Sequence, residues 1–142
     1  MVAFLLRPTK PRWLTLSFPS TLYLCPILDL LLQDIAEEFR TDVRLGLQEG
    51  LVNAAKHGNQ LDPSKCVTVR YARLRDRHEW TILDQGVGFL PPTLCRTWVS
   101  HNPLPEEGCE CGRGLFILFQ VFDQVQWNAT GTQLSLTKYV NR

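Results

Sequence analysis

The sequence predicts an α+β domain, with helices laid on one face of a mostly antiparallel sheet. Two observations carry this. Segments with strand alternation and segments with helical spacing are partly segregated, in the order β-α-α-β-β-irregular-α-β-β. The chain also has 142 residues, 44% hydrophobic and 20% charged, which suits one domain closing one core over 1–142.

Arg12 to Phe18 alternates and is rich in strand formers, so it reads as the first strand, punctuated by Pro19-Ser20. Ile27 to Phe39 spaces Ile27, Leu28, Leu31, Leu32, Ile35 and Phe39 as one helical face. Thr41-Asp42 offers a cap for a second helix through Val43, Leu45, Leu47, Val52 and Ala55, stopping at Gly58. Cys66 to Leu74 and Glu79 to Leu83 read as a hairpin linked by Arg75-Asp76-Arg77-His78. Pro91 to Glu110 is turn-rich and irregular, a pattern typical of a functional loop. A third helix, Leu115 to Phe122, is entered through Gly112-Arg113-Gly114. Val125 to Trp127 and Gln133 to Tyr139 form a closing hairpin, turning at Asn128-Ala129-Thr130-Gly131.

Composition narrows the function classes. A formal net charge of +1 supplies no electrostatic drive toward nucleic acid or a membrane surface. Arg70, Arg73, Arg75 and Arg77 follow strand alternation loosely and read as a solvated face. The apolar run Val2 to Leu6 is short and broken by Arg7, Pro8 and Pro11, which fits neither a signal peptide nor a membrane span. Five cysteines, Cys25, Cys66, Cys95, Cys109 and Cys111, lack the spacing of a disulfide framework or zinc site and read as incidental thiols. A cytoplasmic protein is the expectation.

Four motifs bear chemistry. On the second helix Glu49, Asn53 and His57 stand at i, i+4 and i+8, about 40° apart per step, which makes a polar ridge. A carboxylate, an amide and an imidazole in a row can hold Mg²⁺ through oxygen and activate a hydroxyl. Asp84-Gln85-Gly86-Val87-Gly88-Phe89 follows a strand directly; its glycines permit close backbone approach, and its Asp can accept from an exocyclic amine. No Gly-Lys-Ser/Thr follows, so it is not a Walker loop. Gly112-Arg113-Gly114-Leu115 opens a helix, where free N–H groups and the helix dipole favour phosphate. Gly131-Thr132 leads into the last strand. Each alone has a plain reading as a solvated helix face, a turn, a helix start or a strand start.

Together, in this order and at these separations, the four resemble the GHKL (Bergerat-fold) ATPases, and most closely the anti-sigma factor serine/threonine kinases. The resemblance spans about Arg12 to Tyr139. It implies a two-layer α/β sandwich with a mostly antiparallel mixed sheet and an ATP lid at about 91–111. It implies ATP and Mg²⁺ as cofactors, with Asn53 as the metal ligand. ATP would be held by Asn53, His57, Asp84, Gly86, Gly88, Gly112, Arg113, Gly114, Leu115 and Thr132. Asp84 would take the adenine amine, with Thr132 supporting it through a water, and Lys56 is a further residue near the phosphates. Glu49 would be the catalytic base that takes the proton from an attacking Ser or Thr hydroxyl. The implied partners are a STAS-type anti-anti-sigma protein and a sigma factor; family members often dimerise, so a homodimer is compatible.

Two other readings compete. A stand-alone sensor histidine kinase ATPase module also fits Asn-Ala-Ala-Lys-His, but that branch usually has Asn where Glu49 stands, and neither His57, His78 nor His101 lies on the first helix. A nucleotide-dependent binding module without phosphotransfer shares the pocket, and Glu49 is what favours activity over it. Glu106, Glu107 and Glu110 depart from expectation, since an acidic field beside phosphates does not favour ATP.

Overall fold

The computed structural model describes residues 13–88 and 110–140, the first four of the latter stretch by backbone alone. Five strands form one sheet in the order β1-β2-β3-β5-β4: β1 (Trp13–Pro19), β2 (Cys66–Arg73), β3 (Arg77–Leu83), β4 (Gln124–Trp127) and β5 (Gln133–Tyr139). Every neighbouring pair is antiparallel, so among the described residues the expected mixed character is corrected to a wholly antiparallel sheet. β3 and β4 both run opposite to β5 and therefore point the same way, so the chain between them must cross over the sheet.

Strand alternation decides which face is covered. Val67, Val69 and Tyr71, then His78, Trp80 and Ile82, then Leu134 and Leu136 are buried, and the register places them side by side. The opposite face carries Arg70, Thr81, Ser135 and Gln126 in one cross-strand row and remains polar. The arginine cluster behaves as the solvated face expected of it: Arg70 lies 5.1 Å over the Trp13 ring, and Arg77 pairs with Asp76 and Glu79.

Among the described residues three helices cover the apolar face: α1 (Cys25–Leu31), α2 (Glu37–Val52) and α3 (Glu110–Val121). The single helix expected over Ile27 to Phe39 is in fact two elements. The chain turns at 32–36, and α2 starts at Glu37, so Thr41-Asp42 lies inside the helix rather than capping it. Leu28, Leu31, Leu32 and Ile35 are all buried, so the apolar pattern runs unbroken through the turn and hides it. Arg40 donates from Nε and Nη2 to the Ile35 carbonyl, at 3.3 and 3.0 Å, and Glu37 and Glu38 supply acidic charge to the first turn. α3 is already helical at Glu110, so Gly112-Arg113-Gly114 lies within the helix rather than ahead of it.

At Asn53 the hydrogen-bonding pattern of α2 widens into a π-helical turn, Asn53–Gly58. The Asn59 N–H reaches back to the Ala54 carbonyl at 2.9 Å, an i→i−5 bond. Gln60 and Leu61 then take φ of 54° and 56°, which reverses the chain toward β2. Among the described residues no helix is long and apolar enough to cross a membrane. The expected lid at 91–111 falls largely outside the described residues, as do Cys95, His101, Glu106, Glu107 and Cys109.

Candidate functional site

A cavity of about 280 Å³ opens between the π-helical turn and the ends of β3 and β5. Its size sits at the lower edge of small-molecule sites. The π-helical turn contributes Asn53, Ala54, His57 and Gly58, and α2 adds Gly50. In a widened turn residues four and five apart share a face, which keeps His57 and Gly58 beside Asn53. Such single π turns recur at functional sites. Ile82 and Leu134, cross-strand partners on β3 and β5, supply apolar floor, and Leu115 and Trp127 close it.

Asp84 stands where β3 ends and lines the cavity. Its backbone N–H donates to the Thr132 carbonyl at 3.0 Å, and its Oδ1 accepts from the Gly86 N–H at 2.8 Å. Among the described residues Oδ2 has no hydrogen bond, so the carboxylate keeps acceptor capacity for a ligand. Burial pushes its pKa up, opposed by the Gly86 N–H and by the Lys65 charge. A carboxylate acceptor is thereby held partly buried beside the apolar floor of the cavity.

The glycines of this loop allow close approach. A Cβ on Gly86 would run into the Gly58 carbonyl oxygen, and one on Gly58 would lie 2.5 Å from the Asp84 carboxyl carbon. Gly88 has φ +82° and faces the Thr130 carbonyl oxygen, which no side chain tolerates. The loop is therefore wedged between the end of the π-helical turn and the β4–β5 turn. In that turn Asn128 Oδ1 accepts from the Thr132 and Gln133 N–H groups, and Thr132 Oγ1 is 2.9 Å from Thr130 Oγ1. Thr132 lines the cavity as well.

Glu49 and Asn53 meet over Gly114 of α3. A Cβ there would lie 2.9 Å from Glu49 Oε2 and 3.5 Å from Asn53 Nδ2. Glu49 is half-buried and is not part of the cavity lining, whereas Asn53 is. A carboxylate and an amide are thus presented at the rim, where α3 passes. Among the described residues no group of three or more His, Cys, Asp or Glu side chains gathers as a metal cage. An amide oxygen beside one carboxylate, completed by phosphate oxygens and water, is nonetheless a donor set that Mg²⁺ accepts.

Of the residues expected to bind ATP, the structure brings Asn53, His57, Asp84, Gly88, Leu115 and Thr132 to one cavity. Gly86 shapes the loop without lining it, and Gly114 lies under Glu49 and Asn53. Gly112 and Arg113 lie in the first turn of α3, their side-chain environment outside the described residues. Lys56 is exposed on the π-helical turn, outside the lining. Sequence reasoning did not select Trp127, Ile82, Leu134 or Gly50; they carry no polar signature and reach the site only through strand register and the placement of α2. It also passed over Asn59, the residue that follows Gly58.

A family model described as histidine kinase-like ATPase domain matches residues 30–138. That span includes every described residue that lines the cavity. No curated protein matches the chain.

Proposed function

The chain belongs to the histidine kinase-like ATPase domain family, and from that premise we propose that it is an ATP-dependent protein serine/threonine kinase of the anti-sigma factor type. The observation that carries this is the meeting of Glu49 and Asn53 over Gly114, at the rim of a cavity with Asp84 at its base. In this reading Asp84 Oδ2 accepts from the adenine amine, and Ile82, Leu134 and Trp127 pack on the base. Asn53 and His57 face the phosphates, with Asn53 as the Mg²⁺ ligand and Gly112, Arg113, Gly114 and Leu115 beside them. Bound Mg²⁺ would neutralise phosphate charge. Glu49 takes the proton from a Ser or Thr hydroxyl as that oxygen attacks the γ-phosphorus, and ADP leaves. Phosphoryl transfer needs mainly such positioning and charge neutralisation.

The acceptor is proposed to be a STAS-type anti-anti-sigma protein, with a sigma factor as the sequestered partner. Glu49→Ala is expected to abolish transfer of label from ATP to that acceptor while nucleotide binding stays near wild type. Unchanged transfer would overturn the assignment of Glu49 as base. Nucleotide bound by the wild-type protein, with no label moving to any Ser or Thr, would instead favour a binding module.

A further inference from the structure

Asn59 follows the cavity-lining Gly58 and is fully buried. Its amide satisfies three groups from three different segments. Nδ2 donates to Ser20 Oγ at 2.9 Å, just past the end of β1, and to the Cys66 carbonyl at 3.0 Å, where β2 begins. Oδ1 accepts from the Gln85 N–H at 2.7 Å, just past the end of β3. A reciprocal strap closes the ring: the Cys66 N–H donates to Gln85 Oε1 at 2.7 Å. Ser20 in turn donates to the Lys65 carbonyl at 2.9 Å.

The consequence falls on Asp84. Its own N–H is bonded to the Thr132 carbonyl, and the next N–H along the chain is bonded to Asn59, so the backbone on both sides of its Cα is fixed. With Oδ1 tied to the Gly86 N–H, the orientation of the cavity-lining carboxylate is set as well. We infer that Asn59 is a positioning residue for base selection: it holds the Asp84 loop so that a carboxylate oxygen faces the exocyclic group of a purine. Adenine presents a donor amine there, and guanine presents a carbonyl acceptor that the carboxylate repels. This rests on reading the cavity as a nucleotide site.

The test measures dissociation constants for ATP and GTP in parallel, in wild type, Asn59→Ala and Gln85→Ala. A variant that merely lowers the competent fraction raises both constants by the same factor and leaves their ratio unchanged. The inference predicts a wild-type preference for ATP that shrinks about tenfold in Asn59→Ala, the scale of one misplaced hydrogen bond. Gln85→Ala, which loosens only the reciprocal strap, is expected to shift the ratio less, in the same direction, and it carries the test if Asn59→Ala does not fold. An unchanged ratio in folded Asn59→Ala, or in Gln85→Ala where Asn59→Ala does not fold, overturns the role of Asn59. A wild-type protein that binds neither nucleotide overturns the nucleotide reading itself.

Discussion

Two residues along β3 separate the filled part of the helix–sheet interface from its open part. At Trp80 the space is full: its ring meets Phe122 edge-on at 5.5 Å and lies beside Tyr71 and His78, all within 5.8 Å. Gly46 of α2 makes room for this, since a Cβ there would lie 2.6 Å from the Phe122 ring. At Ile82 the helix above is again small, through Gly50, Ala54 and Gly58, but the strands offer only Ile82 and Leu134. Small residues opposite large rings give close packing; small residues opposite mid-sized ones leave a cavity. The same helix thus builds core at one end and site at the other.

The filled end is the more sensitive to truncation. Trp80→Ala is expected to destabilise the fold by about 3–5 kcal/mol in denaturant unfolding. The Trp80 indole N–H has no hydrogen-bond partner among the described residues, so ring packing carries this contribution. At the open end the sensitive element is the loop. Gly88→Ala forces a side chain into positive φ against the Thr130 carbonyl, at a cost of about 1–3 kcal/mol. Nucleotide affinity should fall with it, whereas Trp80→Ala should alter affinity only through the folded fraction.

A smaller effect distinguishes the two ends by pH. Tyr71 OH lies 2.7 Å from His78 Nδ1, and burial pushes the phenol from 10.0 up to about 12. The unfolded chain therefore gives up this proton first, and stability is lost as pH rises from about 10 toward 12. Burial also holds His78 below its ordinary 6.5, so the unfolded chain takes up a proton first on acidification and stability falls below that pH. Tyr71→Phe should flatten the alkaline limb, measured as thermal midpoint against pH, and leave nucleotide affinity at neutral pH unchanged.

Sequence periodicity located elements well where one face is strictly buried. β5 was readable at both ends, because Leu134 and Leu136 alternate with polar residues that the sheet leaves outside. It merged two elements where burial continued through a turn, as at Leu32 and Ile35. The π-helical turn left no trace in spacing, because Glu49, Asn53 and His57 satisfy an ordinary α pattern as well. Polar site residues stood out by type. Trp127 and the Ile82–Leu134 pair did not, since only cross-strand register brings them under Ala54 and Gly58. Asn59 looks like an ordinary residue after a helix-ending glycine, and its three partners lie 7 to 39 residues away.

If the open end holds ATP through Asp84, calorimetric titration of Mg·ATP into wild-type protein and Asp84→Asn reads it out. The wild-type protein is expected to bind with saturable one-to-one heat, and Asp84→Asn at least about tenfold more weakly, since its amide no longer offers a charged acceptor. Absence of binding by the wild-type protein, or equal affinity in the two, would contradict the account.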